Sequence, residues 1–387
     1  MRNLRSNFLV YTVLCLLPRA VALDSVCAKG LDPVAKDFDR ADRGVALDGM
    51  HAYFSEGDAL VVADISNPTE PVRMGSVGPG GIVRYIQIEG PRAYTGFNIY
   101  DISDPGHPAL LGHYQYRLGT ALRTVVRSPF VFFVDLSGNP FYNLEQPNLG
   151  YYQQLLPLSA LDLDASGMKV YLLGTDKLEI HEIYVGDPPG EYYRSRLLGD
   201  HVFSEVRAWP YVRMRVAGNH VFVADYDNLQ VLDVSDPESI LSVGQVGLRG
   251  HTRDLDIEGS FAYVSQGSKG LEIIDISDPQ SPTPRGYVDP VEEVRTLDVE
   301  GGTAILSSAD AILIVDVSNP DMPELLTSIT PEPVPTPTET PVTPEVFDRW
   351  PNGGDGAINA NDLLQILSED KGEQETLFMF AKFWQSN

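Results

Sequence analysis

Residues 271–282 read LEIIDISDPQSP, and the chain repeats nearly the same phrase four more times. The others are LVVADISNPTEP from Leu60, FNIYDISDPGHP from Phe97, LQVLDVSDPESI from Leu229 and ILIVDVSNPDMP from Ile312. Each phrase opens with an apolar run rich in Ile, Leu and Val, which suits a strand. Each then passes through Asp-Ser-Asp or Asp-Ser-Asn to Pro. Asp and Ser side chains bond nearby backbone N–H groups, and Pro fixes φ and stops the ladder. The phrase therefore reads as a strand running into an obligatory turn. Its recurrence means a repeated unit of structure.

The marker Asp of the phrase falls at Asp64, Asp101, Asp233, Asp275 and Asp316. The spacing is about 40 residues, with one gap of roughly three such steps. Two degenerate copies fill the gap: FYNLEQPN from Phe141, with Asn143 at the marker, and LEIHEIYVGDPPG from Leu178, with Glu182 there. The unit around Arg253 to Asp289 shows the whole pattern. RDLDIEG, FAYVSQ, LEIIDI and PRGYVD are four short strand-like runs separated by Gly, Ser, Asp and Pro. Four antiparallel strands per unit, repeated seven times, predict an all-β fold, a seven-bladed β-propeller over residues 43–330.

Runs such as GLEIIDISDPQSP and LQVLDVSDPES resemble the LVIVD repeat of secreted and surface proteins. The resemblance implies a β-propeller. It implies no particular activity, because that family has none in common.

The two ends read differently. Arg2 and Arg5 precede the short apolar run FLVYTVLCLL, and Ala20-Val21-Ala22 follows, so residues 1–22 read as a secretory signal peptide. The apolar run is too short to span a bilayer, and no other stretch predicts a membrane span. Residues 23–42 form a lead-in. Cys15 lies in the signal, which leaves Cys27 alone and no internal disulfide. The formal charge of −26 argues against nucleic acid and anionic membrane surfaces. These features predict a secreted, extracellular or cell-surface protein.

Residues 331–345, PEPVPTPTETPVTPE, read as a Pro/Thr-rich linker, extended and semi-rigid. Residues 346–387 read as a small α-helical module of two short helices. The loop NGGDGAINANDLL from Asn352 resembles that of an EF-hand, and more closely that of a dockerin repeat. With Gly356 as the sharp-turn glycine, Asp355, Asn359 and Asp362 take ligand positions, which implies calcium as cofactor. Gly353 and Pro351 depart from the pattern at its first positions, and only one such loop is present. The same residues also suit a metal-free turn that caps a helix. A dockerin-like module implies a cohesin-like receptor as partner.

Within the repeats, Arg43, Arg84, Arg253 and Arg295 share one offset upstream of the turn glycines Gly49, Gly90, Gly259 and Gly301. They are predicted near one mouth of the central channel, with His251 beside them. Two readings follow. The arginines form a site for an anionic group, or each pairs with an acid of a neighbouring loop, such as Asp58, Asp135, Asp227 or Asp310. No histidine pair has metal-ligand spacing, and no nucleophile elbow, phosphate loop or dinucleotide fingerprint is present. The sequence therefore points to a non-enzymatic binding or scaffold protein with a protein or glycan partner. The alternatives are a propeller enzyme acting on extracellular polysaccharide and a structural adhesin.

Overall fold

A computed structural model of the chain describes residues 44–330, apart from 79–84, 97, 114–122, 129, 135–138, 144–154, 157–159, 186–192, 205–211 and 290–291. All of these residues fall in one compact unit that ends at Glu332. The signal, the linker and the helical module lie outside the described residues, as do Arg43, Arg84, Asp355, Asn359 and Asp362.

The described residues form seven four-stranded antiparallel sheets, each made of strands consecutive in sequence. We number these blades one to seven in chain order. Six are fully laddered. Blade three is thinner: its outermost strand is only Leu155–Leu156, paired with Asn139 and Pro140. The first strand of each blade packs against the first strands of the two neighbouring blades. The series closes where Val45–Asp48 of blade one meets Val294–Glu300 of blade seven.

The core is divided among the seams. Phe222, Leu229 and Val231 of blade five pack with Leu255, Val264 and Ile274 of blade six. Val45, Phe54 and Val61 of blade one pack with Ile305, Ile312 and Ile314 of blade seven. Because both faces of a blade are covered, a middle strand can be apolar at every position, as in Phe130–Val134, which is buried throughout. Outermost strands are covered on one side only, and Val72–Val77 alternates between exposed and half-buried.

The repeated phrase makes two turns in succession. The marker carboxylate Oδ1 accepts the amide two residues on: Asp64 from Ser66 at 2.7 Å, Asp101 from Ser103 at 2.9 Å, Asp275 from Ser277 at 3.0 Å. The next Asp or Asn repeats the device, with Asp236 accepting from Glu238 at 3.1 Å and Asp278 from Gln280 at 3.0 Å. The degenerate markers also fall in third strands, Asn143 at the end of one and Glu182 within the other. Glu182 builds no turn. It pairs with Arg196 at 2.7 Å on the outermost strand, and the third strand runs on to Val185.

The turn also joins blades. Just past the register shift between third and outermost strands stands a glycine: Gly75, Gly199, Gly244 or Gly286. The following blade's proline turn lies directly on it. A Cβ on Gly75 would sit 2.5 Å from the Gly106 carbonyl oxygen and 2.8 Å from Pro108. A Cβ on Gly244 would overlap the Pro279 carbonyl, and one on Gly286 would sit 2.5 Å from Pro323. Blade seven has Thr327 at this position.

Two outcomes follow. Gly244→Ala should lower stability in chemical denaturation by about 1–3 kcal/mol, since a methyl group is forced against backbone. Gly247→Ala, at an open position, should be nearly neutral. The Ser277 amide and hydroxyl hold the Asp275 carboxyl below the usual carboxylate range. Its stabilising effect is therefore complete above about pH 4 and lost as pH falls through the lower folded value. Acid titration of Asp275→Asn should show a shallower loss of stability than the parent.

Candidate functional site

The first strand of each blade has one edge with no strand to pair with, so its peptide N–H groups need other acceptors. At three seams carboxylates of the preceding blade supply them. Asp162 and Asp164 of blade four accept from Met214 at 2.8 Å and Val216 at 2.9 Å of blade five. Asp254, Asp256 and Glu258 of blade six accept from Leu297, Val299 and Gly301 of blade seven at 3.2, 3.1 and 2.6 Å. Asp298 and Glu300 of blade seven close the ring on Leu47 and Gly49 of blade one, at 2.7 and 2.8 Å.

Arginines balance these carboxylates. Arg123 Nη1 contacts both oxygens of Asp162 at 2.7 Å, with Asp162 only 1% exposed. Burial works against the charge on Arg123, yet the adjacent Asp162 carboxylate holds the guanidinium above its usual range. Arg127 pairs with Asp164 at 3.0 Å, and Arg213 Nε lies 3.5 Å from Asp254. Arg215 reaches Asp254 at 3.7 Å and Asp256 at 3.6 Å. Arg213 also donates to the Tyr85 hydroxyl at 3.1 Å, and Arg123 stands over the Tyr85 ring at 5.8 Å. Tyr85 precedes the first strand of blade two, whereas Arg213 belongs to blade five. These blades are not neighbours, so the contact crosses the ring interior. With these forks turned onto carboxylates, a carbonyl and a phenol, the interior is an electrostatic brace.

The loop face carries the more accessible groups. Arg253 immediately precedes the first strand of blade six and pairs with Glu293 at 2.6 Å. Its partner belongs to a neighbouring inter-blade loop, as one sequence reading expects, but is none of the aspartates suggested there. Arg295 lies in the first strand of blade seven, where its carbonyl accepts from Ser265 Oγ at 2.7 Å. Arg253 and Arg295 thus flank the same seam. His251 is exposed and meets the Tyr226 ring edge-on at 5.6 Å and 89°.

Tyr226 was not singled out from sequence. Among the described residues it is the one non-glycine with positive φ, 51°. Thr252 clamps its carbonyl with N–H at 2.7 Å and Oγ1 at 3.1 Å, and Leu248 N–H holds the Asp227 carbonyl at 2.7 Å. Further out on the same loop, Arg249 stacks on the Tyr287 ring at 3.5 Å and forks onto Asp289 at 3.0 and 3.1 Å. Among the described residues no group of three His, Cys, Asp or Glu side chains is arranged to hold a metal.

Removing one member of a buried pair exposes its role. Asp162→Ala leaves the Arg123 charge and the Met214 amide without their acceptor, and should cost about 3–5 kcal/mol in equilibrium unfolding.

The comparisons agree with this architecture. The LVIVD repeat model matches residues 40–78, 80–116, 213–247, 249–289 and 299–330. No curated protein matches the chain in sequence. Among solved structures, the chain is similar in fold to Kluyveromyces lactis Hsv2, at 8% identity and TM-score 0.53 over 75% of this chain and 98% of that one. It is also similar to a chain of the Mitotic Checkpoint Complex, at 10% identity and TM-score 0.52 over 69% and 83%. A third is the computationally designed Ika8 protein, at 11% identity and TM-score 0.50 over 75% and 87%. At these identities the likeness concerns fold alone. The chain folds as a β-propeller, and five of its segments match the LVIVD repeat.

Proposed function

We propose that the protein is a secreted, non-enzymatic binding scaffold whose loop face at blades five and six receives a protein or glycan partner. The observation that carries this reading is the backbone of Tyr226. A bulky residue at φ 51° costs of order 1–3 kcal/mol and persists only where its surroundings impose it. Here Thr252 and Leu248 impose it, and what they maintain is a tyrosine ring, 38% exposed, beside His251. A turn serving only the fold would take glycine at no steric cost. Nearby, Tyr287 is 54% exposed and braced by Arg249 and Asp289. Rigid aromatic groups held by ion pairs suit recognition, because little side-chain freedom is lost on binding. Arg253 and Arg295 flank the neighbouring seam and would contribute charge at the rim.

Residues 346–387 serve in this reading as a docking module for a cohesin-like receptor. Asp355, Asn359 and Asp362 provide hard oxygen donors of the kind calcium prefers. The support for this part is the sequence pattern alone.

The test uses the full chain on an array of extracellular glycans and an array of surface proteins. Tyr226→Gly should fold at least as stably as the parent while losing about tenfold or more in affinity for the retained ligand, about 1.4 kcal/mol. His251→Ala should weaken the same interaction. Undiminished binding by both variants would overturn the assignment of this face.

A further inference from the structure

At the loop face of blades five and six, each arginine of an ion pair stands behind its acid. The Arg249 side chain is 28% exposed against 50% for Asp289, and Arg253 is 24% exposed against 45% for Glu293. The other charged groups follow the same order. Among the described residues of these turns and loops, Asp227 is exposed with Asp289 and Glu293, Asp225 and Glu292 are half-buried, and Glu272 is buried. Arg295 is half-buried, and Lys269 is the one exposed base. The Arg249 hydrogen bond, and then the charges of Arg249 and Lys269, hold the Asp289 carboxyl below its usual range against slight burial, so it is ionised at neutral pH. A partner arriving from solvent therefore meets carboxylates first.

The groups beneath the loop also lack donors. Glu272 Oε2 accepts from the Arg249 N–H at 2.9 Å and from Gln266 Nε2 at 2.6 Å, and no cation pairs with this buried carboxylate among the described residues. Gln266 is buried as well, and its Oε1 has no hydrogen-bond partner. Oε1 and Nε2 share one carbon, so this open acceptor lies within about 5 Å of the Glu272 oxygen. Two tyrosine rings border the same stretch of loop. Tyr226 meets His251, while Tyr287 carries Arg249 on one side and its 54% exposure leaves the other side open. Arg249 and His251 are two residues apart, at most about 7 Å between Cα atoms. The face of a tyrosine ring attracts cations.

We infer that the partner of this face is a protein, and that the group it presents here is a cationic side chain, lysine or arginine, received between the tyrosine rings and the exposed carboxylates. The inference rests on the binding role of the face and narrows it. Asp289 and Glu293 supply charge-assisted acceptors, the rings supply cation–π contact, and Glu272 and Gln266 add acceptors behind them. A buried carboxylate with no cation beside it projects its field through a medium that screens poorly. An anionic glycan meets the opposite arrangement, because Asp289 and Glu293 stand between it and the arginines. The formal charge of −26 on the chain steers a basic partner toward it and an acidic one away.

The experiment titrates the full chain with a synthetic peptide of alternating Lys and Gly, with the same peptide acetylated at every lysine, and with an oligogalacturonate. The lysine peptide should bind, and the other two should bind about tenfold more weakly or less. Asp289→Asn combined with Glu293→Gln should weaken the lysine peptide by about tenfold. Glu238→Gln combined with Glu324→Gln removes two exposed acids beside the proline turns, and should change the affinity by less than about twofold. Thermal midpoints near that of the parent show that the variants are folded. Should Asp289→Asn disturb the Arg249 loop, Glu293→Gln alone carries the test, with a loss of about threefold. No binding of the lysine peptide, equal losses in the two double variants, or a preference for the acetylated peptide or the oligogalacturonate would each overturn the cationic partner. A preferred neutral or anionic probe that still loses affinity in Tyr226→Gly leaves the face assigned. A lysine peptide undiminished by Tyr226→Gly removes the face together with its ligand.

Discussion

Seven short sheets arranged around an axis leave seven inner edges whose peptide N–H groups meet no strand. Everything else in the ring accommodates this constraint. A buried N–H without an acceptor costs about as much as a lost hydrogen bond. At three of the seams carboxylates at alternate positions of the first strands answer it, each reaching one blade onward, as Asp162 does to Met214 and Asp298 to Leu47. The remedy creates the next problem, a column of negative charge away from water. Arg123, Arg127, Arg213 and Arg215 offset most of it.

The seams use different means at different radii. Near the axis they are held by carboxylates on amides. At middle radius, apolar side chains of adjacent blades interdigitate, as Phe222 and Leu255 do. At the rim, a proline turn rests on a glycine of the preceding blade, as Pro282 does on Gly244. The LVIVD phrase therefore has two duties. It turns the chain from third to outermost strand, and it supplies the surface that locks onto the blade before it. Blade four departs from the phrase at Glu182, and there an ion pair to Arg196 extends the hairpin instead. With the frame secured this way, a turn on the loop face can hold unfavourable geometry, and the hairpin turn of blade five at Tyr226 does so.

The repeat, the strand order within a blade and the position of each turn were legible in the chain itself. Turn formation is local: Asp275 needs only Ser277, two residues away, to make its bond. That is why Asn143 could be located from spacing even though its own phrase has decayed. The amide acceptors were not legible in the same way. Asp162 meets Met214 and Asp254 meets Leu297 across blade boundaries, and in a chain with 54 acids no pairing stands out. One signal was present: DLDAS, RMRVA and DLDIE place Asp or Arg at the same two positions of successive first strands. The partner of Arg253 was missed for a related reason, since Glu293 comes from the next inter-blade loop.

Sequence by itself determined the unit, its repetition and its turns, because strands of alternating pattern and Asx turns depend on residues a few positions apart. Tertiary structure decided which acid faces which amide, which glycine lies under which proline, and which aromatic ring stands at the loop face. Those outcomes depend on the angle between one blade and the next. Packing of whole sheets sets that angle, and no short stretch of sequence encodes it. The strain at Tyr226 belongs to this second class: its neighbours in sequence permit many turns, and the imposed one comes from Thr252 in the following blade's loop.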